Sequence, residues 1–240
     1  LVHRRPTVAV LTTGDELRGP DRFDDVRAGL GVPDTNGPML TALIAATGAT
    51  ALPLETAMDD PAELRARILQ AEPADVLVTV GGASMGEADL VKRVLDALGY
   101  EPGFWRVRMR PGSPVGFGWL PRGDRRQPVL SLPGNPTSAF VTFEVLARPL
   151  LLRLAGHERT TRPRVRAVAA EAIRAPARLT YFLRVALEES DGSFRARLTG
   201  PQGSGLVSGL ARAGGLAVID EGSPGAEEGE PVTVLLLGGR

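Results

Sequence analysis

The chain has 240 residues, 43% of them hydrophobic, and its 28 Lys+Arg balance 28 Asp+Glu to a formal net charge of zero. This is the composition of a soluble globular protein of one or two domains, with no Lys/Arg block to attract nucleic acid. The longest apolar runs, 76–80 and 232–237, are strand-sized and exclude a membrane helix; residues 1–6 carry His3, Arg4 and Arg5 with no apolar core behind them and do not read as a signal peptide.

Cysteine is absent, which excludes disulfides, Cys-ligated zinc and thiol catalysis and agrees with a reducing cytoplasm. Lys92 is the sole lysine, so an Arg at any one position says little about selection for guanidinium chemistry. In chain order, residues 7–12 (TVAVLT) predict a buried strand, and Asn36 an N-cap for a helix over 38–47 that Gly48 ends. A strand over 50–56 follows, then a helix from Asp60-Pro61 to about residue 70, with the aspartate as N-cap and the proline at the first helical position. Residues 75–80 predict a strand covered on both faces, and 89–98 a helix closed by Gly99. Short strands are expected over 104–109, 115–120 and 129–132, then one long helix over 136–154. From residue 165 the alternation is of strand type (VRAVAAEAI, YFLRVALEE, FRARLTG, GLAVID, VTVLLL), broken by Gly and Pro turns. The predicted architecture is an α/β domain over 1–156, Rossmann-like with three layers, followed by a small all-β, barrel-like domain over 163–240.

Four segments carry the chemistry: Thr13-Gly14-Asp15-Glu16-Leu17, Asp34-Thr35-Asn36, the GGASMGEAD run over 81–89, and Leu132-Pro133-Gly134-Asn135-Pro136. Each follows an apolar run. If the strands form one parallel sheet, these loops meet in a crevice at its carboxyl end. Glycines allow backbone N–H groups to approach an anion, and helix N-termini add partial positive charge. Carboxylates beside such cradles suggest a phosphorylated ligand accompanied by a divalent cation. Taken singly, each feature has an ordinary explanation. Asp15 and Glu16 can be turn and solvated acids, Asp89 a helix cap, Gly134-Asn135-Pro136 a tight turn, and Ser204 a turn residue. Arg106, Arg108 and Arg110 would share one face of an exposed strand. His3 and His157, at a terminus and a linker, are neither bases nor ligands.

Together, TGDEL, DTN, GGASMGEAD, RPGSP, LPGNP and Gln202-Gly203-Ser204-Gly205 resemble the molybdopterin molybdenumtransferases, the MoeA/gephyrin E-domain family. The resemblance covers the whole chain. It implies insertion of molybdate into adenylylated molybdopterin with release of AMP, assisted by Mg²⁺. It implies Glu16, Asp59 and Asp89 as catalytic, with Asp59 and Asp89 holding the cation. Gly14, Asp15, Asp34, Asn36, Gly81, Gly82, Ser84, Glu87, Gly134, Asn135 and Ser138 would bind the pterin substrate. Arg110, Ser113, Arg184 and Ser204, with help from Ser138, would bind molybdate. The family's KPGKP segment reads Arg110-Pro111-Gly112-Ser113-Pro114 here: Arg110 keeps a charge on a planar fork, whereas Ser113 supplies none.

Family members also carry a further N-terminal part of roughly 150 residues, and their site lies between two subunits. A homodimer of the longer protein is therefore implied, with hand-over of substrate from a molybdopterin adenylyltransferase. Two other readings stand beside this one. The adenylyltransferase itself shares the first domain, but its loop reads GGTG and it lacks the β domain. A non-catalytic scaffold is the third, because gephyrin's homologous domain anchors receptors.

Overall fold

The computed structural model describes residues 2–81, 88–190 and 192–238, with only the backbone at 88, 89 and 190. In chain order the strands are β1 (Thr7–Thr12), β2 (Leu17–Arg18), β3 (Val32–Pro33), β4 (Thr50–Pro53), β5 (Val76–Val80), β6 (Glu101–Trp105), β7 (Met109–Arg110), β8 (Gly116–Arg122), β9 (Arg125–Leu132), β10 (Arg164–Ala169), β11 (Ile173–Arg174), β12 (Thr180–Ser190), β13 (Ser193–Leu198), β14 (Gly215–Ile219), β15 (Gly225–Ala226) and β16 (Pro231–Leu236). The helices are α1 (Phe23–Arg27), α2 (Asn36–Ala46), α3 (Pro61–Gln70), α4 (Ala88–Ala97), α5 (Pro136–Thr142), α6 (Arg148–Leu154) and α7 (Ser208–Ala211). They form two compact units. The first comprises Leu1–Val107, Pro114–Asn135 and Thr142–Thr160; the second comprises Arg108–Ser113, Pro136–Val141 and Thr161–Arg240.

The first unit is built on a six-stranded sheet of order β4-β1-β5-β9-β8-β6. Its core joins Leu11, Leu64, Ile68, Leu77, Leu95 and Val129, all fully buried. All five residues of β5 are buried, which explains a run without polar alternation. β4, β1, β5 and β9 are mutually parallel. The expectation of one parallel sheet fails beyond β9, because β8 runs antiparallel to both of its neighbours, β9 and β6. Gly123-Asp124 is a two-residue connection with Gly123 at φ +60, and it turns β8 directly back into β9 by pairing Arg122 with Arg125.

α3 follows its sequence signature: the Asp60 carboxylate accepts from Ala62 N at 2.9 Å and Glu63 N at 2.8 Å, with Pro61 at the first helical position. α2 departs from it. Asp34 rather than Asn36 caps the helix, its Oδ1 accepting from Gly37 N at 3.0 Å. The helix expected over 136–154 is interrupted by a π-type turn at Phe143–Ala147. Pro149 lies just beyond; it has no N–H to donate to Val145, and its ring crowds that carbonyl. The segment 17–33, for which no element was predicted, forms the β2–β3 parallel pair with α1 between them.

In the second unit β13-β10-β16-β14-β12 form a continuous sheet, and β12 also pairs with β13, so the sheet closes on itself as a small barrel. Closure removes free strand edges. The barrel core contains Ile173, Val185, Ala196, Ala217 and Val234, each fully buried. β7 adds to this sheet, pairing with β12 in parallel with Tyr181 opposite Arg110.

Gln127 is a local test of the first unit. It is fully buried, donates to Ala71 O at 2.7 Å and Ala74 O at 2.8 Å, and accepts from Arg122 Nε at 3.0 Å. Gln127→Ala removes these three hydrogen bonds, but Ala71 O still accepts from Ala74 N and Ala74 O from Arg125 Nη1, so the change is expected to cost roughly 1–2 kcal/mol. Urea unfolding should show a lower midpoint at unchanged slope.

Candidate functional site

The register of the parallel strands brings the site together. Thr12 of β1 lies opposite Val80 of β5, and Val80 opposite Leu132 of β9. Three strands therefore end at one level, and Thr13, Gly81 and Pro133 leave them side by side. Gly81 has φ +117, and a Cβ there would collide with the Thr13 carbonyl oxygen. A Cβ on Gly134 would lie 3.4 Å from the Gly81 Cα, so the two glycine backbones pack face to face. Asn36 spans this floor, its Nδ2 donating to Gly134 O at 2.6 Å. Two oxygens there, Asn36 Oδ1 and Thr13 Oγ1, are buried with no hydrogen-bond partner among the described residues.

Asp34 is held at the same level. Its Oδ2 accepts from Thr12 Oγ1 at 3.1 Å, and that hydroxyl also lies 2.9 Å from Thr56 Oγ1. On the far side of β1, Asp59 N donates to Asp15 Oδ1 at 2.8 Å. Asp15 and Glu16 are exposed and Asp59 is half-buried. Glu16 folds back over Gly14, where a Cβ would lie 2.7 Å from its Oε2. Thr12 was not singled out from sequence, and Thr13 entered only as the first residue of TGDEL, with no role given. A hydroxyl closing a strand is indistinguishable in type from any β-rich threonine.

Gly82, Ser84 and Glu87 lie outside the described residues, as does the side chain of Asp89. Of the remaining pterin-binding expectations in the first unit, Asn36, Gly81 and Gly134 meet at the strand ends and Asp34 is held at the level of Thr12, whereas Gly14 and Asp15 lie with Asp59 on the far side of β1; Asn135 follows Gly134 and is exposed.

The expected molybdate donors all fall in the second unit. Arg106, Arg108 and Arg110 do not share a strand: Arg106 has φ +83 after β6, Arg108 pairs with Glu221, and only Arg110 joins β7. A backbone at positive φ cannot continue a strand, which is why the alternation breaks there. Arg110 is exposed and Ser113 half-buried. Arg184, on β12, is 1% exposed. Its Nη2 donates to Pro201 O at 2.8 Å, while its Nε has no partner. Burial lowers the guanidinium pKa. Among the described residues no carboxylate pairs with it. Gln202 locks the loop beneath: its Oε1 accepts from Arg184 N at 2.8 Å and its Nε2 donates to Gly200 O at 2.8 Å.

The N-terminus of α5 is less open than the sequence suggested. Thr137 N donates to Ser204 O at 3.1 Å, so this N–H is satisfied within the protein. Ser138 is buried and also partnered.

Burial raises the Asp59 carboxyl pKa, opposed by a hydrogen bond from the Asp15 backbone and reinforced by the nearby Asp15 and Glu16 charges. None of the three makes an ion pair among the described residues. No group of three or more His, Cys, Asp or Glu among those residues is arranged to hold a metal ion. Mg²⁺ does not require one, since it is commonly bound by one or two carboxylates plus substrate phosphates. A half-buried carboxylate crowded by two others fits that chemistry. Because folding raises this pKa, the native state binds the extra proton, and stability falls as pH rises from about 4 through the Asp59 pKa. Asp59→Asn should therefore be more stable than the parent at pH 7, with the gain vanishing below about pH 4. Thermal melts across that range read the difference directly.

Comparison with known proteins gives the family. The family model described as a probable molybdopterin binding domain matches residues 9–153, and the model of the MoeA C-terminal region (domain IV) matches 166–237. The chain is 32% identical over 235 residues to a molybdopterin molybdenumtransferase of Haemophilus influenzae, covering 97% of this chain and 56% of the relative. It is 35% identical over 244 residues to molybdopterin molybdenumtransferase 1 of Mycobacterium tuberculosis, covering 99% and 56%. The crystal structure of a molybdopterin biosynthesis MoeA protein from Pyrococcus horikosii superposes with a TM-score of 0.79 at 32% identity, covering 99% of this chain and 56% of that one. The chain thus spans a little over half the length of the relatives it matches. With both family models matched in order along one chain and the fold reproduced, the chain belongs to the MoeA family.

Proposed function

We propose that this chain carries the molybdopterin-holding and molybdate-holding groups of a molybdenum insertase, which transfers molybdate into adenylylated molybdopterin and releases AMP. The observation that carries the reading is the convergence of Thr13, Asn36, Gly81 and Gly134 at one level of the sheet, with two buried oxygens that lack a partner and an acidic cluster that lacks an ion pair among the described residues. A pterin offers ring N–H and amino donors that suit acceptors such as Asn36 Oδ1, and its phosphate suits glycine-lined backbone.

Asp59 and Asp89 are the residues that would hold Mg²⁺, which neutralises charge developing on a phosphoanhydride. Glu16 and Asp15 lie beside Asp59 and add to the field that attracts a cation. Arg110, Ser113, Ser138, Arg184 and Ser204 are the donors proposed for molybdate, a tetrahedral dianion recognised by guanidinium and hydroxyl groups. The buried, carboxylate-free guanidinium of Arg184 supports this part, since a desolvated cation gains most from an incoming anion. No nucleophilic side chain is invoked.

Partner, compartment and dimer follow the same reading: a homodimer of the longer protein, in the cytoplasm, receiving substrate from a molybdopterin adenylyltransferase. Calorimetric titration with molybdopterin tests the site. The parent should bind, and replacement of both Asp89 and Asn135 by Ala should weaken binding by at least about tenfold, the loss of one to two charge-assisted hydrogen bonds. Equal affinity in the doubly substituted chain would place the ligand elsewhere.

A further inference from the structure

Arg18 lies immediately after the acidic loop, and every partner of its side chain belongs to that loop or to the 17–33 segment behind it. Its Nη1 donates to Asp15 O at 2.7 Å and to Leu17 O at 2.8 Å. Its Nη2 donates to Leu30 O at 2.8 Å. Its Nε lies 3.6 Å from Asp25 Oδ2, and the side chain is 17% exposed. Its aliphatic stem crosses Gly31, where a Cβ would lie 2.9 Å from Arg18 Cγ and 2.5 Å from Glu16 O. The main chain of the same residue reaches the other wall of the site, since Arg18 O accepts from Asp34 N at 2.9 Å.

We infer that Arg18 is a positioning residue for the ligand site: by clamping the Asp15, Leu17 and Leu30 carbonyls it fixes the direction of the Asp15 side chain, and through Asp15 the place of Asp59. The inference rests on the reading that Asp15, Glu16 and Asp59 face the ligand. The physical argument is one of geometry. A loop carrying two exposed acids beside a third has like charges driving it apart. A guanidinium presents donors in a rigid planar fork, so it can bind carbonyls from both ends of the 15–30 excursion at once. It does so from behind, without offering its charge to a ligand in front. The chain then presents Asp15 Oδ1 to Asp59 N.

The test reads the Asp59 amide in the ligand-free chain by ¹⁵N-resolved hydrogen exchange, where the Asp15 carboxylate is the acceptor that protects it. Arg18→Ala should accelerate Asp59 exchange by about five- to tenfold, the loss expected for one hydrogen bond. Exchange in β5 should stay at the parental rate. Arg18→Lys should restore part of the protection, because an ammonium keeps a charge and three donors but not the fork. Arg18→Met keeps the aliphatic stem over Gly31 and removes every donor, so it should give the same signature as Arg18→Ala, which keeps the test decisive if Arg18→Ala does not fold. Asp25→Asn, which removes the negative charge 3.6 Å from Nε and leaves the three carbonyl bonds, should leave Asp59 at the parental rate. Parental Asp59 protection in folded Arg18→Ala or Arg18→Met overturns the inference. Failure of the parent to bind molybdopterin would overturn the functional reading instead, and leaves the exchange result to stand by itself.

Discussion

The site depends on the register of three parallel strands. Because Thr12, Val80 and Leu132 are mutual neighbours across β1, β5 and β9, three chains leave the sheet at one level, and residues distant in sequence become adjacent. A shift of one residue in β9 would turn its buried side chains to the opposite face and move Gly134 away from Gly81 and Asn36. Buried apolar runs on both faces of β5 make such a shift costly. The stability of the core and the geometry of the ligand floor are therefore one constraint.

Bare backbone is the second element of that floor. Gly81 has no room for a Cβ against Thr13, and Gly134 packs on Gly81 itself. The side chains that remain are short and polar, and two of their oxygens lie buried without partners. Folded proteins seldom leave such atoms unpaired. Asp59 adds a raised carboxyl pKa beside two further acids. The unpaired oxygens and the crowded carboxylates cost folding free energy, and a ligand bringing donors and positive charge would relieve both. This is the pattern expected where local rules are broken for function.

Much of this was legible in the sequence, for identifiable reasons. β1, β5 and α3 declare themselves by continuous apolar runs and by Asp60-Pro61, all local signals. The closed barrel was foreshadowed by strand alternation after residue 165, although closure through the β12–β13 pair is a non-local fact that periodicity does not carry. The antiparallel pairing of β8 with both β9 and β6 was missed because apolar strands look alike in either direction. The arginine run at 106–110 alternates like a strand, but the positive φ at Arg106 breaks it. Among site residues, the glycines and Asp34 stood out by type and position. Arg18 did not, since in a chain this rich in arginine its role is visible only through the three carbonyls it holds.

The central claim is that the carboxyl ends of β1, β5 and β9 form one molybdopterin floor. A titration of the ¹⁵N-labelled chain with molybdopterin, followed by amide chemical shifts, addresses it most directly. The account predicts that Thr13, Gly14, Asn36, Gly37, Gly81 and Gly134 shift together with a single apparent affinity, while Gly123 and Asp124, in the turn between β8 and β9, do not move. Saturable binding that leaves these six amides in place would contradict it.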